Sequence, residues 1–211
     1  MPLFTPLKEQ LSKWSDETPS TARQEALEPL ARWIGARTAQ GQRANIIFVC
    51  THNSRRSHIS QIWAQAAAHH MGLSHVVTWS GGTEATAFNP RAVRAMRDAG
   101  VRLEDTGRRV SGENVVYRAT YGAELDEQDL FSKVYTDLAN PQEGFAAVMV
   151  CDSADAACPL VIGADLRVRL PFIDPKRADD TPEEALIYAE SAQEIGLAVA
   201  WLMRRASVHS A

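Results

Sequence analysis

Apolar positions along the chain group into short continuous runs, separated by longer stretches with helical spacing. Two of these runs, NIIFVC at residues 45–50 and FAAVMV at residues 145–150, do not alternate with polar residues. Such runs are typical of strands that are buried on both faces of a parallel sheet. Residues 75–80 and 166–170 predict two further strands. The hydrophobic pattern therefore predicts four strands.

Helical spacing follows three of these runs. A helix is predicted over residues 57–71, a second from Asn89-Pro90 to a stop at Gly100, and a third from Thr181-Pro182 to Arg205. Strands that alternate with helices predict an α/β fold, here an open four-stranded parallel sheet with helices on both faces. Residues 101–142 are polar and mixed, and no element is predicted there.

Residues 1–43 have a different character. Leu7, Leu11 and Trp14 recur at helical spacing, and a second helix is predicted after Ser20-Thr21, with Pro29 either kinking it or marking its first turn. We expect a helical N-terminal arm over residues 1–43 that packs through its Trp and Leu side chains on an α/β domain over residues 44–211.

Composition narrows the function classes. The chain has 211 residues and a net charge of −4, and a protein held to nucleic acid by its overall field is normally basic. No apolar run has the length of a membrane span, and the N-terminus lacks the pattern of a secretory signal. We expect a soluble cytoplasmic protein that binds neither nucleic acid nor membranes.

Metal and cofactor sites are not indicated by the sequence. Its three cysteines include no CxxC pair. The histidines form no ligand set, and His58, His69, His70, His75 and His209 are expected at the surface or at helix ends. We therefore predict no metal and no cofactor.

The segment after the first strand carries the strongest chemical signal. It places Cys50 at the end of a buried strand and Arg56 and Ser57 at the start of a helix, where ligands bind in parallel α/β sheets. Backbone N–H groups and the helix N-terminus bind anions, and an arginine fork binds two oxygens at once. The same positive field favours a thiolate at Cys50, to which the Ser57 hydroxyl could donate. The predicted oxyanion-binding residues are Thr51, His52, Asn53, Ser54, Arg55, Arg56 and Ser57.

A purely structural interpretation makes Cys50 a core residue, with Arg55 and Arg56 as solvated charges at a helix start. Helix starts favour acidic residues, so this interpretation leaves two adjacent arginines without a reason. The catalytic interpretation is therefore preferred.

The sequence VCTHNSRRS resembles the phosphate-binding loop of the low-molecular-weight protein tyrosine phosphatases and of the arsenate reductases built on that fold. The resemblance continues through SGGTEA at residues 80–85 and NPRAV at residues 89–93. It resumes at Cys151 and at Asp174-Pro175, and so covers most of residues 45–205. His52 stands where the family usually has glycine, and Arg55 where many members have a second loop cysteine.

The resemblance implies roles for three more residues. Asp174, in a short proline-bounded loop after the fourth strand, corresponds to the family's general acid; alone, Asp-Pro is also an ordinary turn. Cys151 and Cys158 resemble the relay cysteines of thioredoxin-coupled arsenate reductases; their alternative is two unrelated buried cysteines. Some related reductases hold potassium near the asparagine that corresponds to Asn53.

The spacing of Cys151 and Cys158 favours a short intervening helix, capped by Asp152 or Ser153. At a rise of ~1.5 Å per residue, the two Cα atoms would lie roughly 10 Å apart, too far for a disulfide unless the helix unwinds. The residues between the cysteines are small, and we expect them to be weakly anchored.

Three functions remain at this point. The leading hypothesis is an arsenate reductase that uses Cys50, Arg56, Asp174, Cys151 and Cys158 and is regenerated by a thioredoxin-like reductant. The second is a phosphomonoester hydrolase that needs only Cys50, Arg56 and Asp174. The third is a non-enzymatic sensor of an oxyanion or phosphopeptide. In each case the ligand is a small oxyanion or carries one.

Overall fold

The structure, a computed structural model, describes residues 2–158 and 160–210. Helices and strands alternate along most of the chain, as the hydrophobic pattern predicts. The chain forms, in order, α1 (Thr5–Lys13), α2 (Thr21–Ala39), β1 (Ala44–Cys50), α3 (Arg56–His70), β2 (Val76–Gly82), α4 (Pro90–Asp98), β3 (Arg102–Arg109), β4 (Val115–Thr120), β5 (Gln128–Leu130), β6 (Phe145–Met149), α5 (Asp152–Ala157), β7 (Ala164–Arg169), a short 3-10 helix (Pro175–Ala178) and α6 (Glu184–His209).

The main sheet contains the four predicted strands in the order β2-β1-β6-β7, and all neighbours are parallel. β6 is buried along its whole length and β1 along nearly all of it, so both faces of the sheet are covered. The register pairs Cys50 with Gly82 and Val49 with Met149. The carboxyl ends of β1, β2 and β6 therefore lie side by side at one edge of the sheet. The predicted α/β fold is confirmed.

A second sheet occupies residues 101–142, where the sequence predicts no element. β3, β4 and β5 form it, in that order and antiparallel. The sequence does not predict these strands, because most side chains of β3 are exposed. Charged pairs join the strands instead, such as the pair between Arg118 of β4 and Asp129 of β5 at 3.0 Å. Cross-strand ion pairs stabilise a sheet without the apolar alternation that predicts a strand.

At Thr78 the outer edge of β2 is capped by amide side chains rather than by another strand. The Thr78 backbone N–H donates to Gln65 Oε1 at 2.9 Å, and Thr78 O accepts from Gln61 and Gln128, both at 3.1 Å. Gln61 and Gln65 lie on α3 and are buried. These contacts satisfy edge groups that could otherwise pair with another chain, and they join the two sheets.

The N-terminal helices share the core of the α/β domain. Trp14, 1% exposed, packs edge-on against Trp63 of α3 with ring centroids 5.0 Å apart. A Cβ at Gly196 of α6 would lie 2.4 Å from the Trp14 ring, so the ring fills the space that this glycine leaves. Pro29 lies in the interior of α2, not in its first turn. The domain division at residue 43 stays a prediction.

The longest helix, α6, has 26 residues and packs against α2 and α3. Neither it nor any other helix in residues 2–158 and 160–210 combines the length and apolarity needed to cross a membrane.

We predict that Trp14→Ala lowers the free energy of unfolding by about 3–5 kcal/mol, because it leaves a cavity between α1, α3 and α6. The measurement is urea denaturation followed by circular dichroism. Trp33→Ala is the matched control, since Trp33 is only half-buried and lies over Arg37. A loss in Trp14→Ala that is no larger than the loss in Trp33→Ala would contradict the contribution of Trp14 to the shared core.

Candidate active site

The connection between β1 and α3 is a tight loop over residues 51–55. Asn53 at its centre has a left-handed backbone, with φ of +45°, which asparagine tolerates better than most residues. The loop lies directly on the end of β2, where a Cβ at Gly82 would come within 2.6 Å of Thr51 O and 2.7 Å of Asn53 N. Glycine at residue 82 is therefore required by this close approach.

Three carbonyl groups of this loop accept hydrogen bonds from other parts of the chain. Thr51 O accepts from Glu84 N at 2.8 Å, and Ser54 O accepts from Asn89 N at 2.9 Å. His52 O accepts from Ser132 Oγ at 3.0 Å. By contrast, the backbone N–H groups of residues 52–56 donate to no acceptor within residues 2–158 and 160–210. These amides, next to the N-terminus of α3, are free to bind an anion.

The nucleophile candidate lies at the start of the loop. Cys50 is buried, and its Sγ lies 3.1 Å from Ser57 Oγ. Ser57 Oγ accepts from Asn53 Nδ2 at 2.8 Å, which directs the Ser57 proton towards the sulfur. Asn53 Oδ1 in turn accepts from the backbone N–H of Lys133 at 2.9 Å. Asn53 thus braces the loop.

Arg56 joins the loop to the segment that carries Asp174. Its Nη2 donates to Asp174 Oδ2 at 2.5 Å, and its Nη1 donates to the Phe172 carbonyl at 2.9 Å. Asp174 also caps the 3-10 helix, since its Oδ1 accepts from Lys176 N at 3.0 Å. The predicted anion-binding arginine and the predicted acid thus lie together before any substrate is bound.

Two predicted loop residues turn their side chains away from the anion site. The Arg55 side chain contacts Tyr188 and Asp179. The His52 side chain is exposed, with Nε2 3.7 Å from Glu84 Oε2. The His52 side chain therefore does not fill the loop, and the backbone N–H groups of both residues have no acceptor within the described part of the chain.

Cys151 lies beside the loop, because β6 neighbours β1. Its Sγ is 3.5 Å from Thr51 Oγ1 and accepts from Ala154 N at 3.4 Å. Cys151 is thus the residue that caps α5, and the predicted cap at Asp152 or Ser153 is wrong. The Asp152 carboxylate instead pairs with Arg169 of β7 at 2.5 Å.

Cys158 lies at the other end of α5 and is half-buried. Its carbonyl accepts from Arg167 Nε at 3.0 Å, and Arg167 Nη2 also pairs with Asp155 at 2.6 Å. The expectation of a weakly anchored segment is therefore wrong, since arginines of β7 hold both ends of it. The Cys158 side chain contacts Tyr135. Burial, and to a lesser extent this contact, raises the pKa of Tyr135.

Several residues behind the loop escaped prediction because they come from residues 101–142. Lys133 is almost fully buried, and its ammonium lies 4.5 Å from the Phe131 ring centre. Burial lowers the pKa of Lys133 to about 8. Neither Lys133 nor Ser132 lies in a segment whose pattern predicts an element, so no signal in the sequence indicated them.

His58 is not at the surface, contrary to prediction. It is fully buried on α3, stacked on Phe88 at 4.1 Å, with Nδ1 3.2 Å from Ser80 Oγ. Burial, and secondarily the positive charge of Lys133, hold the pKa of His58 well below its usual 6.5. Within the described part of the chain, no three or more His, Cys, Asp or Glu side chains are grouped to hold a metal ion.

Comparison with known proteins places this geometry in context. The family model of the low molecular weight phosphotyrosine protein phosphatases matches residues 45–117. A protein of Shouchella clausii described as an arsenate reductase is 30% identical over 152 residues, which cover 72% of this chain and 88% of that protein. One of Bacillus licheniformis with the same description is 29% identical over the same shares. The solution structure of a low molecular weight protein tyrosine phosphatase from Bacillus subtilis has a TM-score of 0.50 and 17% identity, covering 76% of this chain and 95% of that one.

The buried His58 predicts an acid-sensitive fold. Below pH 6.5 the unfolded chain binds a proton at this residue that the folded chain does not, so stability falls as the pH falls. Between pH 7.5 and pH 5.5 we expect His58 to account for a loss of about 1 kcal/mol. The test compares urea denaturation of the parent and His58→Phe across this window.

His69 and His70 titrate in both proteins, so the difference in slope isolates His58. His75→Gln, at an exposed position, is the control and should keep the parental slope. A parental slope in His58→Phe would contradict this assignment.

Proposed function

Since the chain belongs to the low-molecular-weight phosphatase superfamily and is close to the arsenate reductases within it, we propose that it reduces arsenate to arsenite. The observation that carries the proposal is the placement of the three cysteines. Cys50 lies under the anion loop, Cys151 lies against the first residue of that loop, and Cys158 lies half-buried at the far end of α5. A phosphatase needs only the first of them.

Arsenate is a tetrahedral oxyanion and fits the free amides of residues 52–56. Arg56 leaves Asp174 and Phe172 and binds two arsenate oxygens in a bidentate contact. Asp174 is then released beside the oxygen that will leave. In this proposal the oxyanion and the Asp174 carboxylate compete for the same guanidinium, so substrate binding frees the acid where it is needed.

In the first step, the Cys50 thiolate attacks arsenic, and a sulfur–arsenic bond forms as an arsenic–oxygen bond breaks. Once Arg56 has left it, Asp174 takes up a proton from solvent and donates it to the departing oxygen, which leaves as water. Ser57 donates its hydroxyl proton towards the Cys50 sulfur and holds the thiolate in place. Arsenic remains in its oxidised state in this adduct.

In the second step, the Cys151 thiolate attacks the Cys50 sulfur. A Cys50–Cys151 disulfide forms, and the electron pair of the sulfur–arsenic bond leaves with arsenic as arsenite. Two thiolates are oxidised and arsenic gains two electrons, so the step balances. The position of Cys151 against Thr51 supports this attack, because it places the second sulfur next to the loop that holds the adduct.

In the third step, Cys158 attacks Cys151, and Cys50 leaves as a thiolate. The resulting Cys151–Cys158 disulfide is then reduced by a thioredoxin-like protein, which supplies the two electrons. Leu160 and Ile162, close to Cys158 in the chain, are exposed and suit contact with such a partner. The three cysteines must start as thiols, a state that a reducing cytoplasm maintains.

A second candidate is hydrolysis of phosphomonoesters, which the same Cys50, Ser57, Arg56 and Asp174 geometry supports. Cys50 would form a phosphocysteine, and water would replace Cys151 as the attacking group. This reaction requires no electron donor, so the two candidates are separated by their need for a reductant.

We predict that Asp174→Asn lowers the rate of the first step by about 10²–10⁴-fold, because it removes the proton donor. The rate is measured by rapid-quench single turnover with arsenate. Asp165→Asn is the matched control, since this carboxylate pairs with Arg37 away from the loop, and it should keep the parental rate. An unchanged rate in Asp174→Asn would assign the proton transfer to another group.

We predict that Cys158→Ser completes roughly one turnover and then stops with a Cys50–Cys151 disulfide, because no third thiol resolves it. Mass spectrometry after arsenate treatment should show the loss of two hydrogen atoms and a cross-linked Cys50–Cys151 peptide. Cys151→Ser, the control, should release no arsenite at all. Hydrolysis of aryl phosphate, where present, should survive both changes. Sustained thioredoxin-coupled turnover by Cys158→Ser at the parental rate would contradict the relay and favour the phosphatase.

A further inference from the structure

The segment that carries Asp174, residues 171–183, is attached to the anion loop by two adjacent arginines. Arg56 holds Asp174, and Arg55 holds Asp179. We propose that Arg55, Tyr188 and Asp179 form a permanent anchor that keeps this acid segment closed on the loop after Arg56 has moved from Asp174 to the oxyanion. The inference rests on the proposed function, because it assigns a positioning role in the same reaction.

The three side chains form a closed set of hydrogen bonds. Arg55 Nη2 donates to Asp179 Oδ2 at 2.8 Å, and Arg55 Nε donates to the Tyr188 hydroxyl at 2.6 Å. The Tyr188 hydroxyl donates to Asp179 Oδ1 at 2.7 Å. Both carboxylate oxygens are thereby bound, and the hydroxyl both donates and accepts. The guanidinium, the hydroxyl and the carboxylate are thus joined to one another by three hydrogen bonds.

Burial distinguishes this anchor from an ordinary surface ion pair. The side chains of Arg55 and Asp179 are 12% and 16% exposed, and Tyr188 is 1% exposed. Charge-assisted hydrogen bonds are stronger when water is excluded, whereas exposed pairs contribute little. Burial, followed by the hydrogen bond to Asp179, raises the pKa of Tyr188 to about 12, so its hydroxyl remains a donor at neutral pH.

Arg56 cannot serve as the anchor during the reaction, because its guanidinium is needed by the oxyanion. Once Arg56 turns to the substrate, Asp174 and the Phe172 carbonyl lose their partner. Arg55 has no such second task, since its side chain points to Tyr188 and Asp179. Each of the two adjacent arginines at the start of α3 therefore has its own function: Arg56 binds the oxyanion, and Arg55 holds the acid segment.

The 3-10 helix transmits the position of Asp179 to Asp174. It covers Pro175–Ala178, with Asp174 as its N-terminal cap and Asp179 directly after its last residue. Beyond Asp179, Arg91 of α4 holds Asp180 and Glu184, both at 2.5 Å. With its end held at Asp179 and Asp180, the short helix keeps the Asp174 backbone in place while the carboxyl group is free to rotate. Asp179 and Tyr188 touch no reacting atom and are positioning residues.

The test uses Tyr188→Phe, which removes one hydroxyl, and Asp179→Asn, which removes the charge. Arg205→Lys is the matched control, because it weakens an arginine–carboxylate pair, with Glu28 of α2, away from the loop. Hydrogen exchange of residues 172–181 should become faster in both anchor variants but not in the control. Phosphate affinity, measured by calorimetry, should not fall, because Arg56 and the loop are intact.

The arsenate turnover rate should fall by about 10- to 100-fold in the anchor variants with KM unchanged, because a small misplacement of the acid slows the chemical step. In an Asp174→Asn background, Tyr188→Phe should cause no further loss, because the anchor acts through Asp174. Asp179→Glu should restore part of the rate lost in Asp179→Asn.

Three results would overturn the anchor: unchanged hydrogen exchange, a parental turnover rate in both anchor variants, or an equal loss in the Asp174→Asn background. Failure of the proposed function gives a different result. If the parent protein turns over no arsenate, the reductase is wrong, and the same variants are tested by hydrogen exchange and aryl phosphate hydrolysis. If the anchor holds Asp174 for either reaction, its variants should still slow the hydrolysis of esters with poor leaving groups.

Discussion

The connection between β1 and α3 leaves the amides of residues 52–55 without an acceptor among the described residues, while three of its carbonyl groups are hydrogen-bonded. A buried carbonyl without a partner is costly, and the carbonyl groups of Thr51, His52 and Ser54 take their donors from other parts of the chain. Glu84 and Asn89 supply two of these donors from the segment after β2, and Ser132 supplies one from the segment after β5. The shape of the anion site therefore depends on residues up to 80 positions away in the sequence.

This dependence gives the second sheet a role in the site. β5 ends shortly before Ser132 and Lys133. The Ser132 hydroxyl donates to His52 O, and the Lys133 backbone N–H donates to Asn53 Oδ1. The sheet is itself joined to the main one through Gln128, which donates to Thr78 O at 3.1 Å. Without residues 101–142 the loop would lose these contacts at His52 and Asn53. The polar segment over residues 101–142 is thus part of the scaffold that shapes the surroundings of Cys50.

The sequence predicted the parts of the molecule that depend on local patterns. Buried strands are continuous apolar runs, so the main sheet was predicted. The loop from Cys50 to Ser57 carries its own motif, so its place between β1 and α3 was predicted as well, whereas anion binding there stays a prediction. The second sheet was not predicted, because its strands are held by ion pairs such as Arg118–Asp129 rather than by apolar alternation. The burial of His58 depends on Phe88, and the partners of Arg55 lie more than 120 positions away, so no local pattern could indicate either.

The cap of α5 couples the chemistry of the proposed relay to the stability of that helix. An isolated helix of six residues is not stable alone, so α5 depends on its cap and on the arginines of β7. The Cys151 sulfur is the cap, and it accepts from Ala154 N as a thiol or thiolate. When this sulfur enters a disulfide, it becomes a poorer acceptor and the cap weakens. The remaining contacts include the Arg169–Asp152 pair, which is largely exposed and contributes little, and Arg167, which binds Asp155 and the Cys158 carbonyl. In the proposed relay, oxidation of Cys151 would therefore weaken the N-terminal end of α5, while a bond to Cys158 would still require Arg167 to release its partners.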